Sequence, residues 1–288
     1  MNTTRLDQRA LEHHPLPPVI DGDKETKGRI LVIAGSREVP GAALLTATAA
    51  MRAGAGKLRI ATVQSAAIAL GIALPEAMVT GLPEDGDGAF VGAAVDRIGE
   101  LAAKADAVIA GPGVKPSDIC KRIADVLLDS EAALALDVAF LESLEPLHRR
   151  ELDRSSMPVL LPNADELAAL LECEPKLVHG DPIGCGHRAA QLYRSVILVK
   201  DVTSHVVTPQ GQCWRYDGGA PGLGVSGSGD VLAGIVGGLL ARGAEPLNAL
   251  LWSVWIHGEA GARLAKKVGP IGFLAREIAG EIPAVLPR

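Results

Sequence analysis

Gly218-Gly219-Ala220-Pro221-Gly222-Leu223-Gly224-Val225-Ser226-Gly227-Ser228-Gly229-Asp230 runs directly into Val231-Leu232-Ala233-Gly234-Ile235-Val236. A glycine-rich turn that feeds an apolar helix leaves several backbone N–H groups free at the positive end of the helix dipole. Glycine also lets that backbone approach a phosphate without interference from a Cβ. Gly227, Ser228 and Gly229 are therefore candidate phosphate ligands. Asp230, at the mouth of the same pocket, is a candidate base for a hydroxyl attacking phosphorus. The plainer alternative is that Asp230 merely caps the helix, a position where Asp is favoured. Gly234, Gly237 and Gly238 weigh against a routine helix. Each interior glycine costs about 1 kcal/mol relative to alanine, which implies unusually close packing. A dinucleotide-binding loop of the Rossmann kind fits poorly, because it should follow the first strand.

Upstream of this loop, short apolar runs alternate with longer helical ones, the pattern of a parallel sheet covered by helices. Expected strands are Ile30–Ile33, Leu58–Thr62, Ala107–Ala110, Leu134–Leu136, Val159–Leu161 and Val196–Val199. They end respectively near Gly35-Ser36, after Thr62, at Gly111-Pro112-Gly113, at Asp137, at Pro162-Asn163 and at Lys200. Most are apolar throughout, as strands buried on both faces are. Ligands of open α/β sheets gather beyond the carboxyl ends of the strands, so those turns are where chemistry is expected. Helices are expected over 42–53, 164–171, 230–241 and 246–265, and a hairpin joins 205–208 to 212–216 through Pro209-Gln210-Gly211. Residues 1–20, with Pro15, Pro17 and Pro18, read as an irregular arm; 21–288 read as one domain.

The 288 residues are 48% hydrophobic and carry a formal net charge of −6. An acidic balance argues against nucleic acid as a partner, since phosphate-backbone binding needs clustered positive charge. With aromatics at 3%, a base-stacking surface is not expected either. Cys120, Cys173, Cys185 and Cys213 are scattered without a C-x-x-C pair and read as reduced thiols. No signal-peptide pattern and no apolar run of about 18 residues is present, so no membrane association and a cytoplasmic setting are expected.

The glycine loop, with Gly238-Leu239-Leu240-Ala241-Arg242-Gly243 behind it, resembles the signature of the NAD(P)H-hydrate dehydratases of the ribokinase-like superfamily. Gly28–Ser36, Gly41–Leu45, Arg52–Gly56, Gly111–Gly113 and His257–Gly261 extend the likeness in order over residues 24–280. The resemblance implies a three-layer ribokinase-like fold and Mg²⁺-assisted phosphoryl transfer. ADP, or ATP in some members, phosphorylates the hydroxyl of the hydrated nicotinamide ring, and loss of phosphate regenerates NADH or NADPH. It also implies that Asp230 is the base and that Gly227 and Gly229 hold the transferring phosphate. Ala42, Gly113 and Asn163 would line the dinucleotide side, and Lys200, Asp201, Val202, Thr203 and Ser204 would lie along the ADP.

Departures from the family pattern cluster on the substrate side. Asn163-Ala164-Asp165-Glu166 replaces a His-Pro-Gly-Glu turn, and Val114-Lys115 follows Gly-Pro-Gly in place of a second glycine. Ala139 stands where a second acid follows Asp137, Asp201 follows Lys200 instead of glycine, and Asp23-Lys24-Glu25 stands for His-Lys-Gly. Asn-x-x-Glu is the pattern of sugar and vitamin kinases on this fold, with Glu166 a hard oxygen donor able to hold Mg²⁺ through water. The same residues equally make a capping box for the helix that follows. A small-molecule kinase is therefore the rival reading, and a catalytically silent nucleotide-binding regulator a third. His205 and His257 lack partners at metal-ligand spacing and read as core or surface residues. Trp252 and Trp255, three apart on an apolar helix, suit internal packing or a homo-oligomer contact.

Overall fold

The computed structural model describes residues 3–18, 24, 26–147 and 157–287; Asp23 and Glu25, two of the departures noted above, lie outside them. The chain runs β1 (Thr3–Arg5), α1 (Gln8–Leu11), β2 (Arg29–Ile33), α2 (Pro40–Arg52), β3 (Lys57–Val63) and α3 (Gln64–Ala73). It continues through β4 (Ala77–Leu82), α4 (Ala93–Ala102), β5 (Ala107–Ala110), α5 (Asp118–Leu128), β6 (Ala133–Leu136) and α6 (Ala139–Glu142). After β7 (Val159–Leu160) come α7 (Ala164–Leu170), α8 (Pro175–Gly180), α9 (Pro182–Leu192), β8 (Val196–Val199), β9 (Ser204–Val207) and β10 (Cys213–Tyr216). Three helices finish the described chain: α10 (Ser228–Ala241), α11 (Pro246–Lys267) and α12 (Ala275–Glu281).

The strands form one sheet in the order β1-β10-β9-β8-β7-β6-β5-β2-β3-β4. From β8 to β4 every neighbouring pair is parallel, and β9 alone runs antiparallel to β8 and β10. The parallel strands thus present their carboxyl ends along one edge. The chain leaves β2 toward β3 and β4, then returns to β5 on the other side of β2. That reversal is a topological switch point, where the loops after two neighbouring strands part and open a crevice. Here the two loops are Ala34–Val39 and Gly111–Gly113. They stay joined by two backbone bonds, Gly35 N–H to the Pro112 carbonyl (2.8 Å) and Gly111 N–H to the Ile33 carbonyl (3.0 Å).

The expected close packing of the glycine helix is present. A Cβ on Gly234 would collide with the Thr46 carbonyl oxygen, and one on Gly238 would lie 2.5 Å from the Ala50 carbonyl. Gly237 faces Ile30 and Ile109 of the sheet. Glycine on α10 and alanine on α2 (Ala43, Ala47, Ala49, Ala50, all buried) let the two backbones nearly touch over the sheet. The composition rich in alanine and glycine and poor in aromatics follows from this contact. Pro40 and Pro246 start α2 and α11 at first-turn positions, where the missing N–H costs nothing.

The N-terminal segment is more ordered than its composition suggests. Thr3–Arg5 adds a parallel edge strand to β10, and Leu6 and Leu11 are buried. Trp252 donates its indole N–H to the His14 carbonyl at 2.7 Å, and Asn248 donates to the Pro15 carbonyl at 3.1 Å. The expectation of an irregular arm is corrected on these grounds: polar residues form a strand because a sheet edge supplies the hydrogen bonds. Trp252 packs edge-on against Trp255, with centroids 5.6 Å apart, so this pair serves internal packing.

Candidate active site

Helix α10 begins at Gly227, whose φ of 87° is the left-handed conformation glycine tolerates. A Cβ there would lie 2.5 Å from Leu45 of α2 and 3.2 Å from Ala275 of α12, so the turn is wedged between two helices. Gly227 is itself the N-cap and no side chain caps the helix. Asp230 is the third helical residue, and the simple capping role considered for it is not the one it has. Ser228 N–H donates to the Val225 carbonyl at 3.1 Å, and Val231 N–H returns to Gly227 at 3.2 Å. Among the described hydrogen bonds, the Gly229 and Asp230 N–H groups have no acceptor in the chain. Gly229 is exposed, and a Cβ on it would meet open space. These two N–H groups stand at the positive end of a fourteen-residue helix, an arrangement suited to an anion.

Beside that turn, the ends of β6, β7 and β8 bring charged groups together. Lys200 donates from Nζ to Asp137 Oδ1 at 2.7 Å, and Glu166 Oε2 lies 3.8 Å from the same Nζ. The Asp137 side chain is 2% exposed and that of Lys200 20%. Burial pushes the Asp137 carboxyl up, an effect that the Lys200 ammonium opposes. Glu166 is raised for the same reason, again against Lys200. Asp230 is pushed up to about 6, first by burial and then by the negative charge of Asp137, with Lys200 pulling it back. A carboxylate near 6 is well matched to accept a proton at neutral pH.

Backbone geometry holds Asp137 in place. A Cβ on Gly111 would collide with the Asp137 carbonyl oxygen, so only glycine permits this approach. Val138 carries φ 44° and ψ −111°, a region that β-branched residues avoid, and donates its N–H to Asp137 Oδ1 at 3.1 Å. Local strain at the one turn that aims a buried carboxylate fits a functional site.

The residues assigned from sequence divide into three groups. Asp230, Gly227, Gly229 and Lys200 meet at the mouth of α10. Ala42 and Gly113 also come together: a Cβ on Gly113 would stand 2.5 Å from that of Ala42, at the switch-point crevice. Ala42 lies in the first turn of α2, not at a strand end. Asn163 and Glu166 form the capping box, with Asn163 N–H to Glu166 Oε2 at 2.8 Å and Glu166 N–H to Asn163 Oδ1 at 2.9 Å. Asp201, Val202, Thr203 and Ser204 make the β8–β9 turn along the rim, with Val202 94% exposed. Thr203 donates to Asp217 at 3.2 Å and Ser204 to the Asp201 carbonyl at 3.4 Å.

The Ser228 N–H goes to the Val225 carbonyl, and its hydroxyl lies 3.0 Å from His257 Nε2. Asp137, a candidate pocket member at a strand end, pairs with Lys200, and His257, expected as a core or surface residue, meets Ser228, 29 residues away in sequence. Among the described residues, no three His, Cys, Asp or Glu side chains converge as direct metal ligands. No helix among them is long and apolar enough to cross a membrane.

Two free N–H groups at a helix N-terminus, a buried carboxylate beside them and a topological switch point suit a phosphoryl-handling α/β protein. A solved structure of the ADP/ATP-dependent NAD(P)H-hydrate dehydratase of Bacillus subtilis, co-crystallised with ATP and Mg²⁺, superposes with a TM-score of 0.84 at 25% identity. It covers 99% of this chain and 98% of that one, and the fold is ribokinase-like. The family model for NAD(P)H-hydrate dehydratase matches residues 30–284. The chain is 43% identical to the ADP-dependent (S)-NAD(P)H-hydrate dehydratase of Xanthomonas campestris pv. campestris, over 97% of this chain and 94% of that protein. A bifunctional NAD(P)H-hydrate repair enzyme Nnr of Gloeobacter violaceus is 34% identical over 92% of this chain, which spans 51% of its length. The chain belongs to the NAD(P)H-hydrate dehydratase family.

Proposed function

We propose that the protein returns hydrated NADH and NADPH to their active forms at the expense of ADP, with ATP the less favoured donor. The observation that carries this reading is Asp230, a carboxylate at about 6, set in the same helical turn as the two free N–H groups. The ring hydroxyl gives its proton to Asp230 as its oxygen attacks the terminal phosphorus of the nucleotide. The bond from phosphorus to the bridging oxygen breaks, and AMP leaves. The new C–O–phosphate bond then breaks toward phosphate, a far better leaving group than hydroxide, while the neighbouring ring carbon loses a proton. The Gly229 and Asp230 N–H groups and Lys200 would hold the charge that builds on the phosphoryl oxygens.

The dinucleotide would enter at the switch-point crevice past Ala42 and Gly113 toward Asn163, and the nucleotide would lie along Asp201–Ser204. Mg²⁺ would be held through water by Glu166, which lies among the Asp137 and Glu142 carboxylates with the Lys200 ammonium beside it. It would supply further neutralisation of the phosphates. The ADP preference rests on the likeness to the Xanthomonas protein. We take residues 21–288 as one ribokinase-like domain, acting in the cytoplasm without nucleic-acid or membrane partners; a homo-oligomer belongs to the same reading. The test is incubation with hydrated NADH, Mg²⁺ and either ADP or ATP, watching NADH absorbance. Recovery with ADP is expected, and phosphorylation of a small alcohol without any NADH recovery would overturn the assignment.

A further inference from the structure

We infer that His257 is a positioning residue, which fixes the anion-binding first turn of α10 through the hydroxyl of Ser228. The inference rests on the dehydratase reading of that turn. Ser228 opens the helix and is 6% exposed, and its Oγ lies 3.0 Å from His257 Nε2 on α11. The next residue, Gly229, supplies one of the two free N–H groups, and Asp230 follows. Rotation of the Ser228 peptide therefore moves the phosphate donor and the base together. Gly227 before it and Gly229 after it have no side chains of their own to hold that turn. Beyond the helix's own hydrogen-bond ladder, Ser228 is held by its N–H bond to Val225 and the bond to His257.

Helix α11 is well placed to serve as the anchor. Gly258, the residue after His257, meets the Tyr216 ring so closely that a Cβ would collide with it, and Gly261 meets Leu223 in the same way. The strand before the glycine loop and the loop itself are thus both seated on α11, and His257 adds a polar tie to the catalytic turn. Burial holds the imidazole down to about 4, so the ring is neutral at physiological pH and the tie does not depend on a charge. A neutral ring can accept from the Ser228 hydroxyl or donate to it, according to tautomer.

Kinetics with hydrated NADH and ADP test the tie. His257→Gln places an amide where Nε2 stands and can donate or accept, so turnover should stay within about threefold of wild type. His257→Asn is too short to reach, and His257→Leu has no polar atom. Both should lower kcat by about tenfold to a hundredfold, the usual cost of a catalytic group misplaced by about 1 Å. KM for hydrated NADH should not move. Ser228→Ala should show the same loss, and Ser228→Ala/His257→Leu should lose no more than the worse single variant. Wild-type kinetics in Ser228→Ala would overturn the inference, as would equal rates in the Gln and Asn variants. If histidine variants fail to fold, Ser228→Ala alone decides. Should wild-type protein show no dehydration at all, the reaction assignment fails separately. ADP affinity by calorimetry then tests the tie: weaker binding in Ser228→Ala supports it, and unchanged binding overturns it.

Discussion

Lys200 Nζ stands 2.7 Å from Asp137 Oδ1, an ion pair formed across 63 residues of sequence and partly buried near the mouth of α10. The pair acts on Asp230 in opposite directions: Asp137 raises its carboxyl and Lys200 lowers it. If Asp230 is the base, activity needs it ionised, so kcat/KM should fall as pH drops through about 6. Asp137→Asn removes the negative neighbour, and the acid limb should then move to lower pH. Lys200→Met removes the positive one, and the limb should move to higher pH. Profiles of kcat/KM for both variants check the signs; shifts in the same direction would mean that Asp230 does not set the limb.

Gly229 and Gly234, five residues apart along α10, make a matched pair for stability measurements. Gly229→Ala meets nothing within 4 Å, whereas Gly234→Ala drives a methyl into the Thr46 carbonyl. Alanine normally gains about 1 kcal/mol in a helix interior. Overpacking of a core contact costs about 1–3 kcal/mol. Gly234→Ala should therefore lower the melting temperature although it improves helix propensity. Gly229→Ala should leave stability intact while weakening ADP binding, because the methyl occupies the space at the free N–H groups. Calorimetric melting and ADP titration of the two variants separate the packing glycine from the binding glycine.

Gly113 holds φ 66°, and its missing Cβ would stand 2.5 Å from that of Ala42. Gly113→Ala should strain the turn and close the crevice between β2 and β5. The expected outcome is a raised KM for hydrated NADH, with ADP affinity near wild type. Equal loss of both would place the dinucleotide elsewhere.

These contrasts also mark what could be read from the sequence. Strands β2, β5 and β8 were legible because, from Ile30 onward in β2 and throughout the other two, both faces are buried and every residue is apolar. β1 and β4 were not: they are the two edges of the sheet, where Thr3-Thr4-Arg5 and the broken run Ala77–Leu82 need satisfy at most one neighbour. The glycine turn before α10 was legible because glycine density is a local property of the chain. The Lys200–Asp137 pair and the Ser228–His257 tie were not, since each depends on which strand ends and helices the topology brings together. Asn163 and Glu166 illustrate the intermediate case. Their spacing suits both a cap and a cation site; the cap is formed, and the Mg²⁺ role remains a matter for titration.

Asp230→Asn is the decisive substitution for the chemistry. Asp230 occupies the third position of α10 and caps nothing, so the amide replaces it without loss of a helix-terminal hydrogen bond. It keeps the shape of the side chain and removes both the negative charge and the capacity to take a proton. The fold should hold, and ADP affinity should be preserved or strengthened, because a carboxylate beside the phosphates is gone. Turnover should fall by about two to four orders of magnitude, the contribution of a positioned general base. Circular dichroism, ADP titration and NADH recovery on the same preparation check the three parts together. Comparable turnover in a folded, ADP-binding variant would remove Asp230 from the mechanism. Asp137 would then be the base to test, since of the two other carboxylates that burial raises beside Lys200 it is the more deeply buried.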